Sequence, residues 1–255
     1  MIRAAVRDYS VWSWFALPLW CLAVLIMFPP HQLDVVVSSL FFDGQGFFLR
    51  KDPLFAVWLY KSTKVVPILI AAGALGLILQ AICKRRACKP TDNDVFIKSL
   101  YTLAAMLLSV TVVWWLKATT GVYCPWSVSA FAGEAAIRSP SWSWVFQSGH
   151  CWPSGHSGTG FCLFVLFFAL RDQYPQIARK VLIAVLIFGV ICSAGRIAQG
   201  AHFLSHALAT GLIDWLICAA VYVFFFDRAR ILERLKSAPK KVAFNHFLFR
   251  ASLFW

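Results

Sequence analysis

The sequence predicts an all-α membrane protein that crosses the bilayer several times. Of its 255 residues, 60% are apolar and 14% are charged, and the mean hydropathy is +0.70. A water-soluble domain needs a polar exterior that such a chain lacks, whereas lipid accepts an apolar one. The apolar residues also gather into separate runs near spanning length, and the basic residues fall between those runs.

Residues 11–28 carry no charge and are long enough to cross the bilayer. Runs 65–83, 99–116 and 203–226 are similar in character. Runs 154–170 and 180–195 are short against the ~20 residues a span needs. Each borders a polar motif, however, and a helix starting at Pro153 or ending near Arg196 reaches ~25 Å. Six transmembrane helices are therefore expected, forming a single membrane domain over residues 1–255 with no internal repeat. The first run could be a signal peptide, but it is long and Pro29-Pro30-His31 follows it in place of a small-residue cleavage site. An uncleaved first helix is the better reading.

The net charge of +13 follows the topology. Lys84-Arg85-Arg86, Arg171 with Arg179-Lys180, and the tail 227–255 all fall on one side if the runs alternate in direction. Positively charged loops stay cytoplasmic, which places both termini inside. Because topology accounts for the charge, no nucleic-acid partner is expected. The opposite side receives Pro29–Lys64, Lys117–Pro153 and the turn Arg196–His202. Residues 33–60 mix apolar and charged side chains around Asp43-Gly44-Gln45-Gly46, as an interfacial amphipathic segment does. The basic tail is expected to lie on anionic headgroups.

Ionisable residues beside spans are expensive and mark function. Lys117 ends the third run, His156 opens the fourth, Arg196 closes the fifth and His202 opens the sixth. Each alone has an ordinary explanation: a snorkelling lysine, a boundary arginine, a structural histidine, or a turn in which Ser154 merely caps a helix. All four, however, lie at the outer edge of their helices. Two cations and two imidazoles in one layer make a phosphate pocket with two groups able to do chemistry.

These residues resemble the type-2 phosphatidic acid phosphatase (PAP2) superfamily of integral membrane lipid phosphatases. The family motifs are Lys-x6-Arg-Pro, Pro-Ser-Gly-His and Ser-Arg-x5-His-x3-Asp. Here they read Lys117-x6-Cys124-Pro125, Pro153-Ser154-Gly155-His156, and Gly195-Arg196-x5-His202-x3-His206. The resemblance covers about Leu33 to Trp215 and implies a PAP2-like helical core. It also implies that His202 is the nucleophile that becomes a phosphohistidine, and that His156 is the general acid on the leaving oxygen. Lys117 and Arg196 would hold the phosphate oxygens, with Ser154 and the Gly155 amide adding hydrogen bonds. No metal or cofactor is implied, nor any obligate protein partner; the expected partners are a lipid phosphate and membrane lipids. The implied location is a bacterial inner membrane, with the site facing the periplasm.

Three departures from the family pattern qualify this reading. Cys124 replaces the first-motif arginine and cannot give a bidentate guanidinium contact, for which Arg138 in the same outer loop is the candidate substitute. Of the eight cysteines, Cys124 and Cys151 alone lie in the expected outer loop, and a Cys124–Cys151 disulfide would tie the first motif to the second. His206 replaces the carboxylate that orients the nucleophilic histidine. The i, i+4 spacing keeps it on the face of His202 as a third candidate catalytic residue. Asp214 lies ~18 Å along the helix, too far to substitute, and Glu134 is the other candidate carboxylate. A metal held by His202 and His206 with His150 or His156 is the competing use of that spacing. Transfer of phosphate to an acceptor lipid, and non-catalytic binding of anionic lipid, also remain open on these residues.

Overall fold

The structure is a computed structural model that describes residues 2–50, 52, 54, 61–135 and 149–227, with residues 2–12 as backbone only. The expected tail beyond residue 227, Arg138 and most of 51–60 lie outside the described residues. Among those described, the architecture is helical, and β-type pairing is confined to two isolated bridges, Phe42 with Phe47 and Val128 with Ala135.

Eight α-helices are described: α1 Ile2–Met27, α2 His31–Ser39, α3 Val65–Arg86, α4 Asn93–Thr119, α5 Gly155–Phe161, α6 Phe164–Leu170, α7 Pro175–Ala198 and α8 Leu204–Tyr222. A π-helical turn, Val223–Asp227, extends α8. Of these, α3, α4, α7 and the extended α8 are long and apolar enough to cross a membrane. The end of α1 and α2 form a bent pair, meeting at 83°, that adds a fifth candidate.

Among the described residues four or five candidates meet this test, against the expected six, and α5 with α6, together only Gly155–Leu170, falls short of it. The reason is packing. This pair packs against α4, α7 and α8, and Ser157, Gly158, Phe161 to Val165 and Phe168 are buried. A helix sheathed by other helices has no hydrocarbon thickness to match, so the spanning-length rule does not bind it.

Helix ends also run past the apolar runs. α4 begins at Asn93 because Asp92 caps it, accepting the Asp94 and Val95 amides at 2.9 and 3.2 Å. Its last turn therefore includes Lys117. α7 starts at Pro175, a residue suited to the first helical turn, and carries Arg196 in its last turn.

One end of the bundle is filled by aromatic rings. Trp14, Tyr101, Phe168 and Tyr222 meet mainly edge to face, and Arg171 lies over Trp14 at 3.6 Å. At the other end, residues 41–50 fold back through an Asp43 turn, whose carboxylate accepts the Gln45 and Gly46 amides. Phe47 then packs with Val128 and Phe131. The described part of segment 33–60 thus packs on this end of the bundle while leaving Leu40, Phe48 and Leu54 exposed.

Candidate active site

Four chain segments meet at the end of the bundle that holds Phe47: the last turn of α4, residues 120–126, residues 149–156, and the turn from α7 into α8. Residues 121–122 and 149–151 run side by side. The Gly149 amide donates to the Gly121 carbonyl at 3.1 Å and the Cys151 amide to Val122 at 3.0 Å. A Cβ on Gly149 would lie 2.3 Å from the Val122 carbonyl oxygen, so only glycine fits this approach. Cys124 and Cys151 are joined as a disulfide across the two segments, with their Cα atoms 5.2 Å apart.

The Pro153-Ser154-Gly155-His156 turn starts α5. Ser154 is fully buried and caps the helix, its Oγ accepting from the Ser157 amide at 3.4 Å and meeting the Ser157 hydroxyl at 2.8 Å. Ser193 continues this buried hydroxyl chain at 2.9 Å from Ser157. Thr210 ties the turn to α8, accepting the Ser154 amide and donating to the His206 carbonyl, both at 2.8 Å. Gly155 and His156 are half-buried on the open side. A Cβ on Gly155 would meet no protein atom within 4 Å. Glycine is therefore not demanded there by protein packing, and open space lies in front of its backbone.

His202 sits in the turn before α8 and is buried. Its Nδ1 lies 2.9 Å from the Cys151 carbonyl oxygen. A carbonyl can only accept, so Nδ1 carries the proton and Nε2 keeps the lone pair of the neutral ring. Burial, reinforced by the positive charges of Lys117 and Arg196, holds this imidazole well below the usual histidine range. His206 is also buried, with its ring centroid 5.9 Å from that of His202, and it approaches the same carbonyl. Lys117 and Arg196 are close enough to repel each other. Arg196 is braced by Gln199, whose Oε1 accepts from Nη1 at 2.7 Å.

Lys117, Arg196, His202 and His206 are thus brought together, with the Ser154–His156 turn linked to them through Thr210. Other expected members are not. Glu134 is exposed and does not figure among the groups acting on His202, and Asp214, already too far along the helix to be a candidate, does not either. His150 is exposed while His202 and His206 are buried. Among the described residues, no three His, Cys, Asp or Glu side chains converge as a metal-ligand set.

The structure adds residues that sequence reasoning missed. Asp34 of α2 is buried, and its carboxylate accepts the Ser205 amide at 2.8 Å and the Ser205 hydroxyl at 2.6 Å, capping α8 from another helix. Its one sequence signal was an acid inside the apolar stretch Leu33-Asp34-Val35-Val36. Arg50 stacks over Trp126 at 4.6 Å, and Arg196 lies 6.0 Å from the same ring. Trp126 follows the first motif and donates its amide to the Gly200 carbonyl at 3.0 Å.

The family model of the PAP2 superfamily matches residues 98–230, which hold the Lys117, Pro153–His156 and Arg196–His202 segments. Among solved structures, the chain is similar to a transmembrane PAP2-type phosphatidylglycerolphosphate phosphatase from Bacillus subtilis. Identity is 17%, coverage is 85% of this chain and 96% of that one, and the TM-score is 0.48. No curated protein sequence matches. The family match spans just over half of the chain and all three motif regions, and the chain belongs to the PAP2 superfamily.

Proposed function

We propose that this protein is an integral membrane lipid phosphatase that hydrolyses a phosphate monoester or diphosphate headgroup through a phosphohistidine on His202. One observation carries the reading. His202 is a buried, neutral imidazole with Nδ1 engaged by the Cys151 carbonyl, and it lies beside Lys117 and Arg196. That arrangement presents Nε2 as a nucleophile in a field that attracts phosphate.

In the proposed reaction Nε2 attacks phosphorus, a P–N bond forms and the P–O bond to the lipid breaks. His156, protonated, gives its proton to the leaving oxygen and then takes one from the water that attacks the phosphohistidine, releasing inorganic phosphate. Lys117 and Arg196 offset charge on the transferring group. Space lies open where a Gly155 Cβ would stand, leaving room for a phosphate to approach that backbone, and Ser154 caps the turn. Arg50, on Trp126, brings a further guanidinium to the side of the site where the family arginine is replaced by Cys124. By the distribution of basic loops the site faces the non-cytoplasmic side, in a bacterial cell the periplasm.

The test is release of inorganic phosphate from a panel of lipid phosphates by purified protein in EDTA. His202→Ala should lose ~10³-fold or more in kcat, and His156→Ala about 10²- to 10⁴-fold. Undiminished release by both variants would sink the mechanism. Phosphate arriving on a second lipid, with none free, would identify a transferase. Activity abolished by EDTA would require a metal.

A further inference from the structure

We propose that the Cys151 main-chain carbonyl, fixed by the Cys124–Cys151 disulfide, is the positioning group for His202 and replaces the carboxylate that the family pattern carries at position 206. This inference rests on the reading of His202 as the nucleophile.

A nucleophilic imidazole needs its far nitrogen held, because that bond sets both the tautomer and the ring's direction. An imidazole at position 206 offers no negative charge for the purpose. The partner actually present is the Cys151 oxygen, 2.9 Å from Nδ1. A peptide carbonyl positions a ring well only if the chain on either side of it is held. Here the Cys151 amide is bound to Val122, the Gly149 amide to Gly121, and the Thr120 hydroxyl donates to the Trp152 carbonyl. The disulfide closes the same pair of segments at Cys124, which continues the 121–122 segment. Cys151 itself is buried.

The two departures from the family motifs are then one exchange. The cysteine that removes a phosphate-binding arginine at 124 supplies the cross-link that holds the carbonyl standing in for the carboxylate at 206. The site accordingly depends on oxidation of this pair, so a thiol reductant that opens the disulfide weakens catalysis while leaving the phosphate-binding cations in place.

The experiment compares the oxidised protein in nanodiscs with the same protein after phosphine reduction, with free thiols at 124 and 151 counted by mass spectrometry. On a lipid phosphate that the oxidised protein hydrolyses, reduction should lower kcat by about 10²-fold, the effect of a misplacement of order 1 Å. KM should move less than about twofold, since Lys117 and Arg196 remain. Cys124→Ser should behave like the reduced protein, and adding His206→Asp should restore most of the lost kcat by returning a carboxylate to the ring. Should Cys124→Ser not fold, reduction of the already folded wild type provides the same comparison. Full kcat with both thiols free overturns the inference.

A second readout needs no turnover. In ¹⁵N-histidine spectra of the oxidised protein His202 should carry its proton on Nδ1, and reduction should mix the tautomers. An Nε2-protonated His202 in the oxidised protein overturns the positioning role even if phosphate is released. The stated tautomer in a protein that hydrolyses no lipid phosphate instead overturns the functional reading and leaves the positioning intact.

Discussion

His202 shows how position alters a side chain's chemistry. An exposed histidine is half-protonated near pH 6.5. Burial, with the cations Lys117 and Arg196 beside it, pushes this one well below that, so it stays neutral into mild acid. The acidic limb of kcat/KM, which reports the free enzyme, should therefore lie below pH ~6.5. The sign of a neighbour's contribution follows. Lys117 disfavours the imidazolium, so Lys117→Gln raises the His202 pKa and moves that limb to higher pH, while phosphate affinity falls. A pH–rate profile of the residual activity checks it, and a limb that stays put or moves lower contradicts the assigned proximity. The histidines, Lys117 and Arg196 were legible in the sequence because ionisable groups stand out against apolar runs. The Cys151 carbonyl was not, since every residue has one and only folding decides which of them matters.

At the scale of elements, the crossing of α5 and α7 sets the depth of the site. A Cβ on Gly160 would stand 2.6 Å from the Gly189 Cα, and one on Gly189 would stand 2.2 Å from the Phe161 ring. Small residues let helix backbones approach closely in membranes. This crossing holds the α5 start beside the α7 end, linking the hydroxyls of Ser154, Ser157 and Ser193. Gly160→Val should thus destabilise the fold by ~1–3 kcal/mol or more through overpacking. Gly73→Ala in α3, where a Cβ would meet nothing within 4 Å, should be neutral or slightly stabilising. Thermal melts of the two variants in detergent check the contrast. The runs themselves could be read from hydropathy. The shortness of Gly155–Leu170 became intelligible only once its neighbours were known, because sheathing relaxes the length rule.

For the whole molecule, the arrangement of charge predicts its direction in the membrane. Cys88, exposed just past the basic end of α3, is expected on the cytoplasmic side, and Glu134, exposed in the loop after the first motif, on the other. In intact cells a membrane-impermeant maleimide should label Glu134→Cys and spare Cys88. The reverse pattern would invert the topology and put the site inside. The aromatic packing around Trp14, Phe168 and Tyr222 lies at the end of the bundle away from the histidines.

Composition, the spacing of three motifs and the placement of basic loops determined the membrane class, the family resemblance and the principal candidate site residues, because hydrophobicity and charge act locally along the chain. Only the tertiary structure decided what completes the site. Asp34 reaches the start of α8 from a helix 171 residues away in sequence. Arg50 meets Trp126, and one backbone oxygen among many comes to rest on His202. Those contacts join segments distant in sequence, and nothing in the local pattern of either partner records the distance that packing leaves between them.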